Sequence, residues 1–296
     1  MPSLSNTDVR ESQTENISPP TDRASLRNFI VTFLKRCDIH YQGCEQPIAN
    51  FETLCVAAAS ARGYLGGDDS VFRRFIGLGA TIAIASYSHL RDENVKIYIA
   101  LYTAFIAYLD DHFLSQIDAI REFVSRFVAC QPQQLKVLDD FAALLLEMPR
   151  FHNAVACNII LTSTFDYLSS LLIQTDVIGV PIPTSATEYP MFFRRLSGIG
   201  NIVYCVCTFN DILSFYKEDL AGGGEDALVW LTARNRDMTV YESLCTIANE
   251  TVDVHSRVLR ILAPFEDAYE AYRKFARGFY GFHFESKRYK LQDLGL

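Results

Sequence analysis

The sequence predicts an all-α protein with a single domain, and three observations carry that reading. Strand signals are nearly absent: no Asn-Gly hairpin turn occurs, and strict apolar–polar alternation never persists. Apolar residues recur instead at helical spacing, segment after segment. The 15 Gly and 10 Pro in 296 residues never gather into an interdomain linker, and the length suits one large core.

Residues 1–22 are polar, contain acids and lack an apolar stretch, so they read as a disordered tail and not as a targeting peptide. The domain then covers 23–296. Asp22 is a candidate N-cap for a first helix in which Leu26, Phe29, Ile30, Phe33 and Leu34 share one face. Further helices are expected over 47–63, 70–88, 91–111, 115–130, 132–147 and 150–174. Within 91–111 the run IYIALYTAFIAYL spans only 13 residues, short for a membrane crossing, and reads as a buried helix. Gly179, Pro181 and Pro183 mark a loop in TDVIGVPIPTSATE. Helical spacing resumes near 188 and stops at Gly222-Gly223-Gly224. Helices around 226–235, 239–263 and 265–285 complete the chain, and no internal repeat occurs.

Composition narrows the function. Hydrophobic residues make up 49%, including 21 Phe and 15 Tyr, more aromatic surface than a minimal core needs. The formal charge is −8, from 27 basic against 35 acidic residues, without a basic block, which argues against nucleic-acid binding. A polyanion remains acceptable if divalent metals bridge the charges. Cys37, Cys44, Cys55, Cys130, Cys157, Cys205, Cys207 and Cys245 form no CxxC, and no paired His set offers a zinc site. Reduced, mostly buried thiols of a cytosolic protein are expected.

The richest chemistry lies in CTFNDILSFYKEDL. Asn210, Ser214 and Glu218 fall at i, i+4 and i+8, so each step turns about 40° past a full circle and climbs about 6 Å along a helix. An amide oxygen, a hydroxyl and a carboxylate then line one face, the hard oxygen donors that Mg²⁺ accepts while leaving places for water and phosphate. Apolar flanks, Cys205, Val206, Phe209, Ile212, Leu213 and Phe215, place this face on a buried helix. Lys217 lies beside it, available to a phosphate or to solvent. A second oxygen pair, Asp110-Asp111, closes the apolar run. Alone it reads either as a helix's solvated end or as a metal site beside a dry cavity. Arg288-Tyr289 and Arg194-Arg195 add cations and a phenol donor suited to phosphate oxygens. Thr103, Ile106 and Ala107, one to two turns before Asp110, and Phe209 are candidates for a cavity wall or for ordinary core.

The segments YLDDHF, STFDYLSS, YPMFFRRLSGIG, NDILSFYKE and KRYKL, in order across roughly 85–292, resemble the fungal class I sesquiterpene cyclases of the trichodiene synthase-like family. NDILSFYKE follows that family's second metal motif, N/D-D-x-x-S/T-x-x-x-E, residue for residue. The resemblance implies a class I terpenoid synthase helical bundle around a central apolar cavity. It implies a lyase that ionises farnesyl diphosphate with three Mg²⁺ ions and cyclises the carbocation to a C15 hydrocarbon or alcohol. Asp110, with Asp111 beside it, and the Asn210/Ser214/Glu218 set would ligate the metals. Arg194, Lys217, Arg288 and Tyr289 would hold the diphosphate, Arg194 as its sensor. A homodimer is also implied. Between Arg194 and Asn210 lie 16 steps, about 24 Å along an unbroken helix, and Gly198 and Gly200 offer the break that would bring them together. Two alternatives remain at this level: a chain-elongating prenyltransferase of the same fold, and a catalytically inactive helical isoprenoid-binding protein.

Overall fold

The computed structural model describes residues 23–40, 48–66, 69–178, 180, 183, 185–186, 188–197, 204–222 and 227–296. The tail, the Asp22 cap, Cys44, Gly179, Pro181, Gly198, Gly200, Gly223 and Gly224 lie outside them. Among the described residues there are eleven α-helices and no strand. They are α1 (Arg23–Arg36), α2 (Ile48–Ala61), α3 (Asp69–Ser86), α4 (Glu93–Val128), α5 (Lys136–Glu147), α6 (Ala154–Asp176), α7 (Tyr189–Ser197), α8 (Tyr204–Leu220), α9 (Leu228–Asn235), α10 (Val240–Leu262) and α11 (Glu266–Glu285). Short 3₁₀ turns follow α5 and α11, at Met148–Arg150, Lys287–Tyr289 and Leu291–Leu294.

Local chemistry explains most of the boundaries. Asp92 caps α4 by accepting from Asn94 N at 2.9 Å, and Asn153 caps α6 by accepting from Ala156 N at 2.9 Å. Thr239 opens α10 with a reciprocal capping box to Glu242. Two expectations change. The helices over 91–111 and 115–130 are one, the 36-residue α4, because no Gly or Pro interrupts it. Asp110 and Asp111 therefore sit within a helix and not at its end. Conversely, the helical stretch from 188 to 222 is two helices, α7 and α8.

The core forms two apolar clusters. One joins α2 through α6 around Phe105, Phe123 and Phe141; the other joins α1 with α8 through α11 around Phe33, Phe209 and Tyr280. Burying each such ring is worth roughly 2–3 kcal/mol. Helix α3 ties the clusters together through two close approaches. A methyl on Gly79 would collide with the carbonyl of Ala100 on α4. One on Gly278, in α11, would collide with the carbonyl of Ala85 on α3. Only glycine permits the backbones to meet this closely.

By length and composition α6 is apolar enough to cross a membrane. It packs instead onto α4, where Tyr102 and Thr164 hydroxyls meet at 2.8 Å and the Tyr167 hydroxyl donates to Ile106 O at 3.3 Å. The thiols are less uniformly buried than expected. Cys37 and Cys55 are buried, Cys130 is exposed, and Cys157, Cys207 and Cys245 are intermediate, all six of them free.

Candidate active site

A cavity of about 430 Å³ opens where α4, α6, α7, α8, α9 and the turn after α11 converge. Asp110, Arg194, Asn210, Lys217, Glu218, Arg288 and Tyr289 all line it, although 179 positions separate the first from the last. The volume suits a small-molecule ligand.

Helix α8 supplies the oxygen face. Ser214 is fully buried, and its Oγ donates to Glu218 Oε1 at 2.6 Å, a short charge-assisted bond that aligns the two one turn apart. One turn earlier, the side-chain amide of Asn210 lies 3.2 Å from His283 Nε2 and 3.4 Å from the Tyr289 hydroxyl. Lys217 Nζ stands 3.8 Å from Glu218 Oε1 and 5.6 Å above the centre of the Tyr289 ring. Burial pulls Lys217 below the ordinary lysine range, with Glu218 opposing.

Helix α4 brings the second acidic pair. Arg288 Nη2 lies 3.1 Å from Asp111 Oδ1 and 3.8 Å from Asp110 Oδ2. Asp111 thus anchors the guanidinium, while Asp110 keeps 59% of its side chain exposed to the cavity. Although reached by solvent, Asp110 is recessed between helices, and this desolvation raises it above the ordinary carboxylate range against the pull of Arg288.

The short spacing before α8 brings Arg194 to the site. From α7, its Nε donates to Asp211 Oδ2 at 2.8 Å and its Nη2 to Cys207 O at 3.0 Å. Asp211 is 8% exposed. Burial pushes it up to about 6 in spite of Arg194. Burial also works against the Arg194 charge, and Asp211 outweighs it. With one further contact to Ser197, three of the five N–H donors of Arg194 meet partners among the described residues.

The residues expected at the cavity wall are not among those lining this space. Thr103, Ile106 and Ala107 do not line this space, since Ile106 belongs to the core that α4 shares with α6. Phe209 points to the far side of α8, with its ring 5.5 Å from Phe33 and 4.7 Å from Tyr280. Apolar lining comes from Pro190 and Phe193 of α7 and from Leu228 and Leu231 of α9. Sequence reasoning also missed Asp211 and His283. Asp211 stood in view as the one acid of the NDILS run; nothing local distinguished His283.

The residues fit a hard divalent cation. Three cations, Arg194, Lys217 and Arg288, face four carboxylates, Asp110, Asp111, Asp211 and Glu218, so the site is formally short of one positive charge. It cannot neutralise a diphosphate by itself. The amide, hydroxyl and carboxylate oxygens on α8 are what Mg²⁺ prefers. Among the described residues no group of three or more His, Cys, Asp or Glu is placed to hold a metal ion, so the hard-oxygen set depends on the amide of Asn210 and the hydroxyl of Ser214 beside the carboxylates.

Comparison with known proteins gives a consistent picture. The trichodiene synthase family model matches residues 72–207. The alpha-cuprenene synthase of Coprinopsis cinerea is 30% identical over 300 residues, covering 91% of this chain and 90% of that protein. The longiborneol synthase of Gibberella zeae is 27% identical over 235 residues, 69% of each chain. Among solved structures, the linalool/nerolidol synthase of Streptomyces clavuligerus, in complex with 2-fluorogeranyl diphosphate, superposes with a TM-score of 0.56. It covers 84% of this chain and 98% of its own at 13% identity, which shows the shared fold.

Proposed function

The chain belongs to the trichodiene synthase-like terpene synthases, and from that premise we propose that it ionises farnesyl diphosphate with Mg²⁺ and cyclises the resulting cation to a C15 hydrocarbon or alcohol. The observation that carries this reading is the convergence of three cations, a phenol and a hard-oxygen set on one cavity with an apolar side.

Lys217, Arg288 and Arg194 bind and orient the diphosphate, with Tyr289 as a neutral donor. Asp111 and Asp211 hold the two guanidinium groups in place, which lowers the ordering cost of binding. Asp110, Asp111, Asn210, Ser214 and Glu218 would hold the metal, three ions by family resemblance. Bound Mg²⁺ supplies Lewis-acid charge neutralisation of the departing diphosphate. Phe193, Leu228 and Leu231 receive the hydrocarbon and exclude water that would quench an allylic cation. The Phe193 ring offers a π face to migrating positive charge. The released diphosphate, held by the same cations, is the base nearest the cascade's end.

Incubation with geranyl, farnesyl and geranylgeranyl diphosphates tests the substrate assignment. A cyclic product from the C15 substrate supports it. Condensation with isopentenyl diphosphate in place of cyclisation would favour a chain-elongating enzyme.

A further inference from the structure

His283 sits under the oxygen face and has no role in the scheme above. It is fully buried on α11, between the rings of Phe279, Phe282 and Tyr289, whose centres lie 4.8, 5.2 and 4.2 Å from its own. Its Nδ1 lies 2.7 Å from the carbonyl of Phe279 one turn back, and its Nε2 lies 3.2 Å from the end of the Asn210 side-chain amide. No carboxylate is among these partners to support an imidazolium.

The donor count then decides the arrangement. A carbonyl oxygen only accepts, so the Nδ1 of His283 carries the proton. A neutral imidazole has one N–H, which leaves Nε2 as a bare lone pair. The group facing Nε2 must therefore be a donor. The structure places Oδ1 at that end of Asn210, but the two ends of an amide are nearly isosteric and their hydrogen-bond partners decide between them. The same end lies 3.4 Å from the Tyr289 hydroxyl. An NH₂ group satisfies both neighbours, one hydrogen to His283 Nε2 and one to the Tyr289 oxygen. Oδ1 then occupies the other end of the amide, and the Tyr289 proton is released to donate elsewhere.

We propose that His283 is a positioning residue: its Nε2 lone pair holds the Nδ2 end of Asn210 and so presents Oδ1 as the ligand for the divalent cation. This role rests on the metal-dependent reading given above. The hydrogen-bond arrangement itself exists without metal. Groups that orient metal ligands commonly govern affinity 10–100-fold.

The first test is ¹⁵N NMR of the metal-free protein, using long-range proton–nitrogen correlations of the imidazole assigned by loss of the signal in His283→Gln. A neutral Nδ1–H tautomer is expected at pH 7; an Nε2–H tautomer or an imidazolium overturns the proposal. The second follows Mn²⁺ binding in the presence of inorganic diphosphate by electron paramagnetic resonance. His283→Leu is expected to weaken it roughly 10–100-fold. His283→Gln, whose amide oxygen can accept from Nδ2, is expected to stay within about threefold of wild type by the same argument. A folded His283→Leu protein that binds Mn²⁺ like wild type overturns the proposal. If His283→Leu does not fold, His283→Asn, which keeps the Phe279 bond and loses reach to Asn210, replaces it. Wild-type protein that shows the Nδ1–H tautomer but binds no Mn²⁺ would overturn the metal reading, and with it the role, while leaving the His283–Asn210 contact standing.

Discussion

Replacing Arg194 with Met should destabilise the protein in a way that grows with pH. Arg194 and Asp211 are 19% and 11% exposed at their side chains, so their 2.8 Å ion pair is largely dry. Removing one member of a buried pair costs about 3–5 kcal/mol because the other charge is left without a partner. Asp211 can escape that cost by taking up a proton. Its pKa is already about 6 in the folded protein, above the ordinary value of 3.8, because burial outweighs the guanidinium. A carboxyl raised on folding binds protons more tightly when native, so stability falls as pH climbs from the unfolded value through the folded one. In the wild type that window closes near 6. Without Arg194 the folded pKa rises further, and the loss continues at about 1.4 kcal/mol per pH unit above 6. The deficit of Arg194→Met should therefore be about 1–2 kcal/mol at pH 5, from lost hydrogen bonds, and about 3–5 kcal/mol at pH 8. Urea unfolding of both proteins at the two pH values reads it directly. Adding Asp211→Asn should flatten the pH dependence. A deficit that is equal at pH 5 and pH 8, or that Asp211→Asn leaves unchanged, would refute the ion pair as the clamp between α7 and α8.

Three further outcomes follow from the same structure. Gly278→Ala places a methyl against the carbonyl of Ala85 and should lower stability by about 1–3 kcal/mol or more, measured as a fall in Tm. Glu218→Gln keeps an acceptor for the Ser214 hydroxyl, so circular dichroism and Tm should stay near wild type while turnover drops at least about 100-fold, beyond the usual effect of an outer partner. Asp111→Asn releases Arg288 from a half-exposed pair, which should cost under about 1 kcal/mol of stability. Its effect should appear instead as weakened diphosphate binding in inhibition assays.

Much of this architecture is legible in the sequence because helical spacing is a local signal. The stretches 239–263 and 265–285, read from that spacing, are α10 and α11. The oxygen face of α8 is likewise contained in nine residues of sequence. What fails are inferences that depend on neighbours. The acidic pair at Asp110 looked like a helix end because apolar residues stop there, yet only the burial changes, and the backbone continues to Val128. Thr103, Ile106, Ala107 and Phe209 lie on faces that periodicity identifies as buried, but periodicity does not say whether a face meets a cavity or a neighbouring helix. Asp211 invites a metal role from its place beside Asn210. Its partner is Arg194, 17 positions away, and only the fold pairs them.

The central claim, that Arg194, Lys217, Arg288 and the α8 oxygens form one metal-dependent diphosphate site, is tested most directly by product analysis. Purified protein is incubated with farnesyl diphosphate, with Mg²⁺ or with excess chelator, and the organic extract is analysed by gas chromatography–mass spectrometry. The account predicts a cyclic C15 hydrocarbon or alcohol with Mg²⁺ and none with chelator. Neither C15 product nor diphosphate release from well-folded protein with saturating Mg²⁺ would contradict it.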